Sequence, residues 1–137
     1  MNLSFQEKSL WCMFVGLIGA FGFYFTTVLP THATDVMPEQ VVLFVLAVVL
    51  LVGVQIVGHI VIALIDRRTA VDERDRFIHL KGTRNASYVL ATGVFFALCT
   101  AILTEGNFLF IHVLLGFWVL AQLVEIGSQL YLYRKGV

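Results

Sequence analysis

The sequence predicts an all-α integral membrane protein: a four-helix bundle that crosses the bilayer four times, with both termini cytoplasmic. Three observations predict it. The chain has 137 residues, 59% of them hydrophobic and 13% charged, and its mean hydropathy is +0.90. Its apolar residues are gathered into four long stretches. Every Lys and Arg falls at the same end of those stretches. A soluble domain of this size needs a charged shell that this composition cannot build.

The stretches cover 9–29, 41–65, 85–104 and 107–133, with a charged loop at 66–84, and together they make one transmembrane domain. Each meets the requirement of about 20 mostly apolar residues for a helix crossing the hydrocarbon. None alternates apolar and polar residues, which excludes a closed barrel. The first stretch is longer than the apolar region of a cleavable leader, about 7–15 residues, and reads as a retained anchor.

The cations set the direction. Lys8 precedes the first span. Arg67, Arg68, Arg74, Arg76, Lys81 and Arg84 lie between the second and third. Arg134 and Lys135 follow the fourth. The other two connections, "PTHATDVMPEQ" and "TEGN", carry none. By the positive-inside rule the loop and both termini face the cytoplasm.

The loop also carries helix signals. Thr69 with Asp72 has the spacing of an N-terminal capping box. Asp72, Glu73 and Asp75 come early and Lys81 and Arg84 late, which suits the helix dipole. Asp72 and Arg76 are spaced i,i+4. Gly82 is placed to end this helix and Thr83 to cap the next. Two geometries fit: a short helix on the membrane surface, or a cytoplasmic extension of the second or third span. Asp72, Glu73, Arg74, Asp75, Arg76, Lys81 and Arg84 then serve as solvated, orientation-setting charge. Docking of a cytoplasmic partner or anionic lipid is the alternative.

The segment "DERDRFIHLKGTR", followed by an apolar run, resembles a loop of uncharacterised small four-span bacterial membrane proteins. The matching residues are Asp72, Glu73, Arg74, Asp75, Ile78, Lys81, Gly82 and Arg84. The likeness covers about a quarter of the chain. It implies the four-span topology and a bacterial cytoplasmic (inner) membrane location, and it supplies no catalytic residues.

Polar side chains at membrane depth are costly, and they mark functional positions. The second span carries Gln55 and His59 at i,i+4. The third carries Thr92 in a stripe with Asn85, Tyr88 and Cys99. The fourth carries Gln122, Glu125 and Gln129 on one face. Counted at 1.5 Å per residue from the nearest cytoplasmic cations, His59, Thr92 and Glu125 all lie about 12–14 Å in. The simplest way to keep these faces from lipid is to turn them toward one another, as one internal polar cluster. In the first span Cys12, Gly16, Gly19 and Ala20 form a small-residue face suited to close helix packing. Trp11, Tyr24, Tyr88, Tyr131 and Tyr133 lie near span ends and read as interface anchors.

The chemistry classes narrow accordingly. A zero net charge gives no case for nucleic acid. Cys12 and Cys99 lie toward opposite faces and read as packing residues, so no disulfide framework follows. There is no phosphate loop, nucleophile elbow or hydrolase spacing, and no enzyme is expected. An outer-surface metal site from His32, Asp35, Glu39, Glu105 and His112 lacks any paired-ligand motif, so neither metal nor cofactor is expected. Two readings remain. One is a non-enzymatic accessory or regulatory subunit, self-associated or bound to a membrane-protein partner. The alternative is a proton-coupled small transporter or ion-conducting oligomer using the Glu/His/Gln cluster.

Overall fold

The computed structural model describes residues 5–31, 33–65 and 72–135. Four helices account for nearly all of them: α1 (Phe5–Val28), extended by a 3-10 turn at Leu29–Thr31, α2 (Pro38–Ile65), α3 (Glu73–Leu103) and α4 (Phe108–Lys135). Each is long and apolar enough to cross a membrane. At 1.5 Å per residue the 31 residues of α3 reach about 46 Å, against about 30 Å of hydrocarbon. Its first turns therefore project beyond the hydrocarbon, as one of the two predicted geometries has it.

Local chemistry sets the helix starts. Pro38 opens α2 at the position where a missing N–H costs nothing. The Met37 N–H just before it is taken by Gln40 Oε1 at 3.1 Å. Asp72 caps α3: its carboxylate accepts from the Glu73 N–H at 2.7 Å, and Asp75 accepts from the Asp72 N–H at 3.0 Å. The capping box is thus Asp72 with Asp75. Thr69, proposed above as the capping residue, lies outside the described residues, as do Arg67 and Arg68. The helix stop expected at Gly82 and the new cap at Thr83 do not occur, because α3 runs through both. Gly82 is there for contact. A Cβ on it would lie 2.7 Å from Gln129 Cγ and 3.0 Å from the Glu125 carbonyl oxygen on α4.

The helices neighbour one another in the order α2, α1, α4, α3, and each adjacent pair is antiparallel. Among the described residues α2 packs on α1 alone and α3 on α4 alone. The α3–α4 interface is the most extensive, and small residues make it so. Gly82, Ala86, Gly93 and Ala97 are buried at helical spacing along α3. Phe117 sits directly over Gly93, in the space a Cβ would need. Close backbone approach of this kind holds membrane helices together where no hydrophobic drive separates them from lipid. Part of the small-residue stretch of α1 turns to α2, less closely. Cys12 contacts the backbone at Gly58, and Gly16 faces Leu51, Val54 and Gln55. Gly19 has no neighbour this close.

Phe21, only 1% exposed, centres the core and joins three helices. Its ring lies 6.4 Å from Phe44 of α2 and 5.9 Å from Trp118 of α4. The rest of α2 faces outward: Val42, Val49 and Leu64 are 67%, 61% and 76% exposed. Apolar surface this continuous is incompatible with water and matches hydrocarbon. The chain is a small, all-helical, polytopic membrane protein.

At the end opposite the charged segment, the two short connections latch together. Phe108 N–H donates to the Thr34 carbonyl at 3.1 Å, Val36 N–H to Asn107 Oδ1 at 2.9 Å, and Asn107 N–H to Asp35 Oδ1 at 3.1 Å. Gly106 turns the chain here with φ of +77°, a conformation that favours glycine, and its Cα packs on the Thr34 carbonyl.

Candidate functional site

The predicted polar cluster divides into two groups at one level of the bundle. Gln55 and His59 on α2 turn to α1. His59 Nδ1–H donates to the Gln55 carbonyl at 2.8 Å, which fixes the tautomer. Its Nε2 is left as an acceptor and takes the Ser9 hydroxyl at 2.7 Å. Glu125 and Gln129 on α4 turn the other way, to α3. Thr83 Oγ1–H donates to Glu125 Oε1 at 2.8 Å, and Gln129 Nε2 reaches the same oxygen at 3.4 Å. Gln129 Nε2 also lies 3.2 Å from His79 Nδ1, so that nitrogen is the acceptor. His79 Nδ1 stands 3.7 Å from Glu125 Oε1. Thr92 belongs to neither group. It is exposed, and its hydroxyl donates to the Tyr88 carbonyl on its own helix. The division follows from the packing order: α1 and α4 separate α2 from α3.

A cleft of about 320 Å³ opens between α1, α3 and α4 at this level. Ser9, His79, Gln122, Glu125 and Gln129 all line it, with Asp75 and Tyr133 where the start of α3 meets the end of α4. Tyr133 O–H donates to Asp75 Oδ1 at 2.6 Å, and Arg74 donates to the Tyr133 carbonyl at 3.3 Å. These bonds tie the end of α4 to the start of α3. Asp75 and Arg76, two of the charges predicted to set orientation, thus also line the cleft. Lys81 spends its charge on the ring of Phe77, 4.3 Å away. The Glu125 side chain is 17% exposed and that of His79 66%. An acid shielded within the bundle therefore stands next to an imidazole open to the outside. The Thr83 bond also fixes depth. Glu125 lies level with Lys81–Arg84, at the membrane boundary, shallower than its distance from Arg134 suggested.

Sequence reasoning missed Ser9, His79 and Thr83. By pattern alone Ser9 is the first residue of a span, His79 falls in the charged loop and Thr83 is a helix cap. The available signal was the i,i+4 stripe Asp75, His79, Thr83, visible once α3 is read as unbroken.

His112 was considered above as an outer-surface metal ligand. It is instead buried, 4% exposed, and bonded on both nitrogens. Nδ1–H donates to the Phe108 carbonyl at 2.7 Å and Nε2 accepts from the Tyr24 hydroxyl at 2.9 Å. Tyr24 is thus a core residue, 3% exposed, and not an interface anchor. His32 lies outside the described residues, and no group of three or more ligand-type side chains gathers among those described. Tyr24→Phe is expected to destabilise the fold by about 1 kcal/mol in detergent-denaturation curves, by leaving a buried acceptor unmade. Combining it with His112→Leu should recover part of that loss. An unchanged midpoint in the single variant would mean the bond contributes nothing.

The two histidines share one device. Each donates through Nδ1 to the carbonyl four residues back and accepts through Nε2 from a hydroxyl on α1. At His112 the arrangement is closed. At His59 the hydroxyl belongs to a residue lining the cleft, so the same arrangement opens onto that cleft. Compared with protein-family models, with curated proteins and with solved structures, the chain has no match.

Proposed function

We propose that the protein moves protons, or a small solute coupled to protons, across a bacterial inner membrane through the Glu125 cleft. One observation carries the reading: a shielded carboxylate, Glu125, held by Thr83 and Gln129 and standing 3.7 Å from an exposed imidazole. An acid and a histidine paired at the end of a membrane-spanning bundle have the chemistry of a proton relay. The chemistry is direct. His79 takes a proton at Nδ1 in exchange for the Gln129 bond. That N–H then faces Glu125 Oε1 and transfers the proton, giving a neutral carboxylic acid and a neutral imidazole. Loss of the carboxylate charge lowers the cost of moving the group, or of opening the cleft, toward hydrocarbon.

The orientation rests on the cation distribution, which puts the cleft mouth and both termini in the cytoplasm. An accessory subunit explains the charged segment equally well. It gives no reason for an acid and an imidazole to line a cleft. The outward face of α2, which has α1 as its only helical neighbour among the described residues, supports an oligomer as the working unit.

The test uses phosphatidylethanolamine–phosphatidylglycerol vesicles with an entrapped pH-sensitive dye. A valinomycin-clamped potassium gradient drives protons inward. The wild-type protein should acidify the lumen, and Glu125→Gln should cut the rate about a hundredfold, the scale of losing a proton-transferring group. A wild-type rate equal to that of empty vesicles, or an undiminished rate in the variant, overturns the proposal.

A further inference from the structure

We infer that Ser9 is a proton bridge between the cleft and His59, and that His59 is a second proton-binding site served through it. The inference rests on the reading of the cleft as proton-handling, and extends it to a residue on another helix. Ser9 is 7% exposed, and it lines the cleft that Glu125 lines. Its hydroxyl lies 2.7 Å from His59 Nε2. His59 Nδ1 is occupied by the Gln55 carbonyl at 2.8 Å, so Nε2 is the nitrogen open to a new proton. The Ser9 hydroxyl is its polar contact among the described residues.

The transfer balances without any further reactant than the proton in the cleft. A proton arrives at Ser9 Oγ from water or from the protonated Glu125 carboxyl. The serine's own O–H proton passes to His59 Nε2, and the imidazole becomes an imidazolium with both nitrogens protonated. Ser9 keeps one hydrogen throughout, and the hydroxyl rotates to reset. Hydroxyl groups suit this because they donate and accept at the same atom. A second observation extends the line. Gln55 Oε1, one turn further into the membrane, is buried with no hydrogen-bond partner among the described residues. It is an acceptor set beyond His59 on the same helix face.

Other charges bear on His59. On α1, the helix packed against α2, the titratable groups at this end are Glu7, Lys8 and Cys12. Across the cleft stand Asp75, Arg76 and His79 of α3 and Glu125 and Tyr133 of α4. A change confined to Ser9 leaves all of these in place.

The experiment compares wild type, Ser9→Ala and Ser9→Thr, each with 15N-labelled histidine and reconstituted in the same vesicles. His59 is identified by loss of its signals in His59→Gln. In wild type, His59 Nε2 should exchange protons with the cleft, and that exchange should broaden its 15N signal. In Ser9→Ala that exchange should slow roughly tenfold, while the signal of the exposed His79 is unchanged. Ser9→Thr, which keeps the hydroxyl, should restore the wild-type behaviour. Proton flux should fall roughly tenfold in Ser9→Ala and recover in Ser9→Thr. Identical His59 Nε2 exchange in wild type and Ser9→Ala overturns the inference, whatever the flux does. If no variant carries flux but His59 responds only through the hydroxyl, the transport reading fails and the bridge stands.

Discussion

Gly93→Val is expected to separate α3 from α4 and to destabilise the protein by about 3 kcal/mol, the upper part of the range for overpacking. A Cβ at this position would enter the space of Phe117, whose own Cβ is fixed by the α4 backbone, and would lie 2.9 Å from its Cδ1. No rotamer change of Phe117 removes the overlap, so the helices must move apart. The ring of Phe117 stacks on Phe96 at 5.8 Å, and that contact is lost with it. The α3–α4 interface is the largest in the protein, and α3 has no other helix to fall back on among the described residues. Controls come from the same chain. Gly19, Gly22 and Gly127 have nothing within 4 Å of an added Cβ. Alanine there should be neutral, or stabilising by up to about 1 kcal/mol through helix propensity. Circular dichroism during denaturation in mixed dodecylmaltoside and dodecyl sulfate reads both. A Gly93→Val midpoint within the spread of the controls would mean that Gly93 and Phe117 do not hold the interface.

That seam shows where sequence reasoning reached and where it stopped. Four spans were legible because hydrocarbon demands length and apolarity, and both can be counted residue by residue. The small-residue face of α1 was legible for the same reason: Cys12 and Gly16 repeat every four residues, and they do pack on α2. The matching seam on α3 was hidden. Ala86 at the start of the third span is one small residue among many, and Gly82 lies in a segment whose charges read as a loop, where glycine most often ends a helix. Propensity favours a stop there. Contact with α4 overrides it, since only glycine lets the Glu125 backbone come so near.

Neighbour order was the other thing out of reach. Periodicity tells which face of a helix is polar and does not tell which helix it meets. Gln55 and His59 on α2, and Glu125 and Gln129 on α4, look like one cluster when only depth is considered. With α1 lying between α2 and α4 they become two, joined by Ser9, a residue of no pattern. Tyr24 failed for a related reason. A tyrosine near a span end anchors at the interface unless a buried acceptor claims it, and His112 is that acceptor.

Gly82→Val should abolish proton flux as thoroughly as Glu125→Gln, although it touches no titratable group. The added Cβ would sit 2.7 Å from Gln129 Cγ and 3.0 Å from its Nε2, and the side chain can swing away. The Glu125 carbonyl oxygen, also 3.0 Å away, cannot, because it is held in the α4 backbone. Gln129 then leaves His79, and α4 lifts from α3 at the level where Thr83 binds Glu125. The imidazole and the carboxylate lose both the residue that spaces them and the one that aims the acid. The expected cost to stability is about 1–3 kcal/mol, less than at Gly93 because part of the strain is absorbed by a flexible glutamine. A smaller substitution, Gly82→Ala, should keep partial flux for the same reason. The measurement is the vesicle acidification rate, taken on protein that elutes as a single species and retains wild-type helicity. A folded Gly82→Val protein with undiminished flux would show that the His79–Glu125 geometry is not what moves the proton. A graded loss from Gly to Ala to Val would tie the rate to the separation of α3 and α4, a dependence that Glu125 substitutions alone cannot reveal.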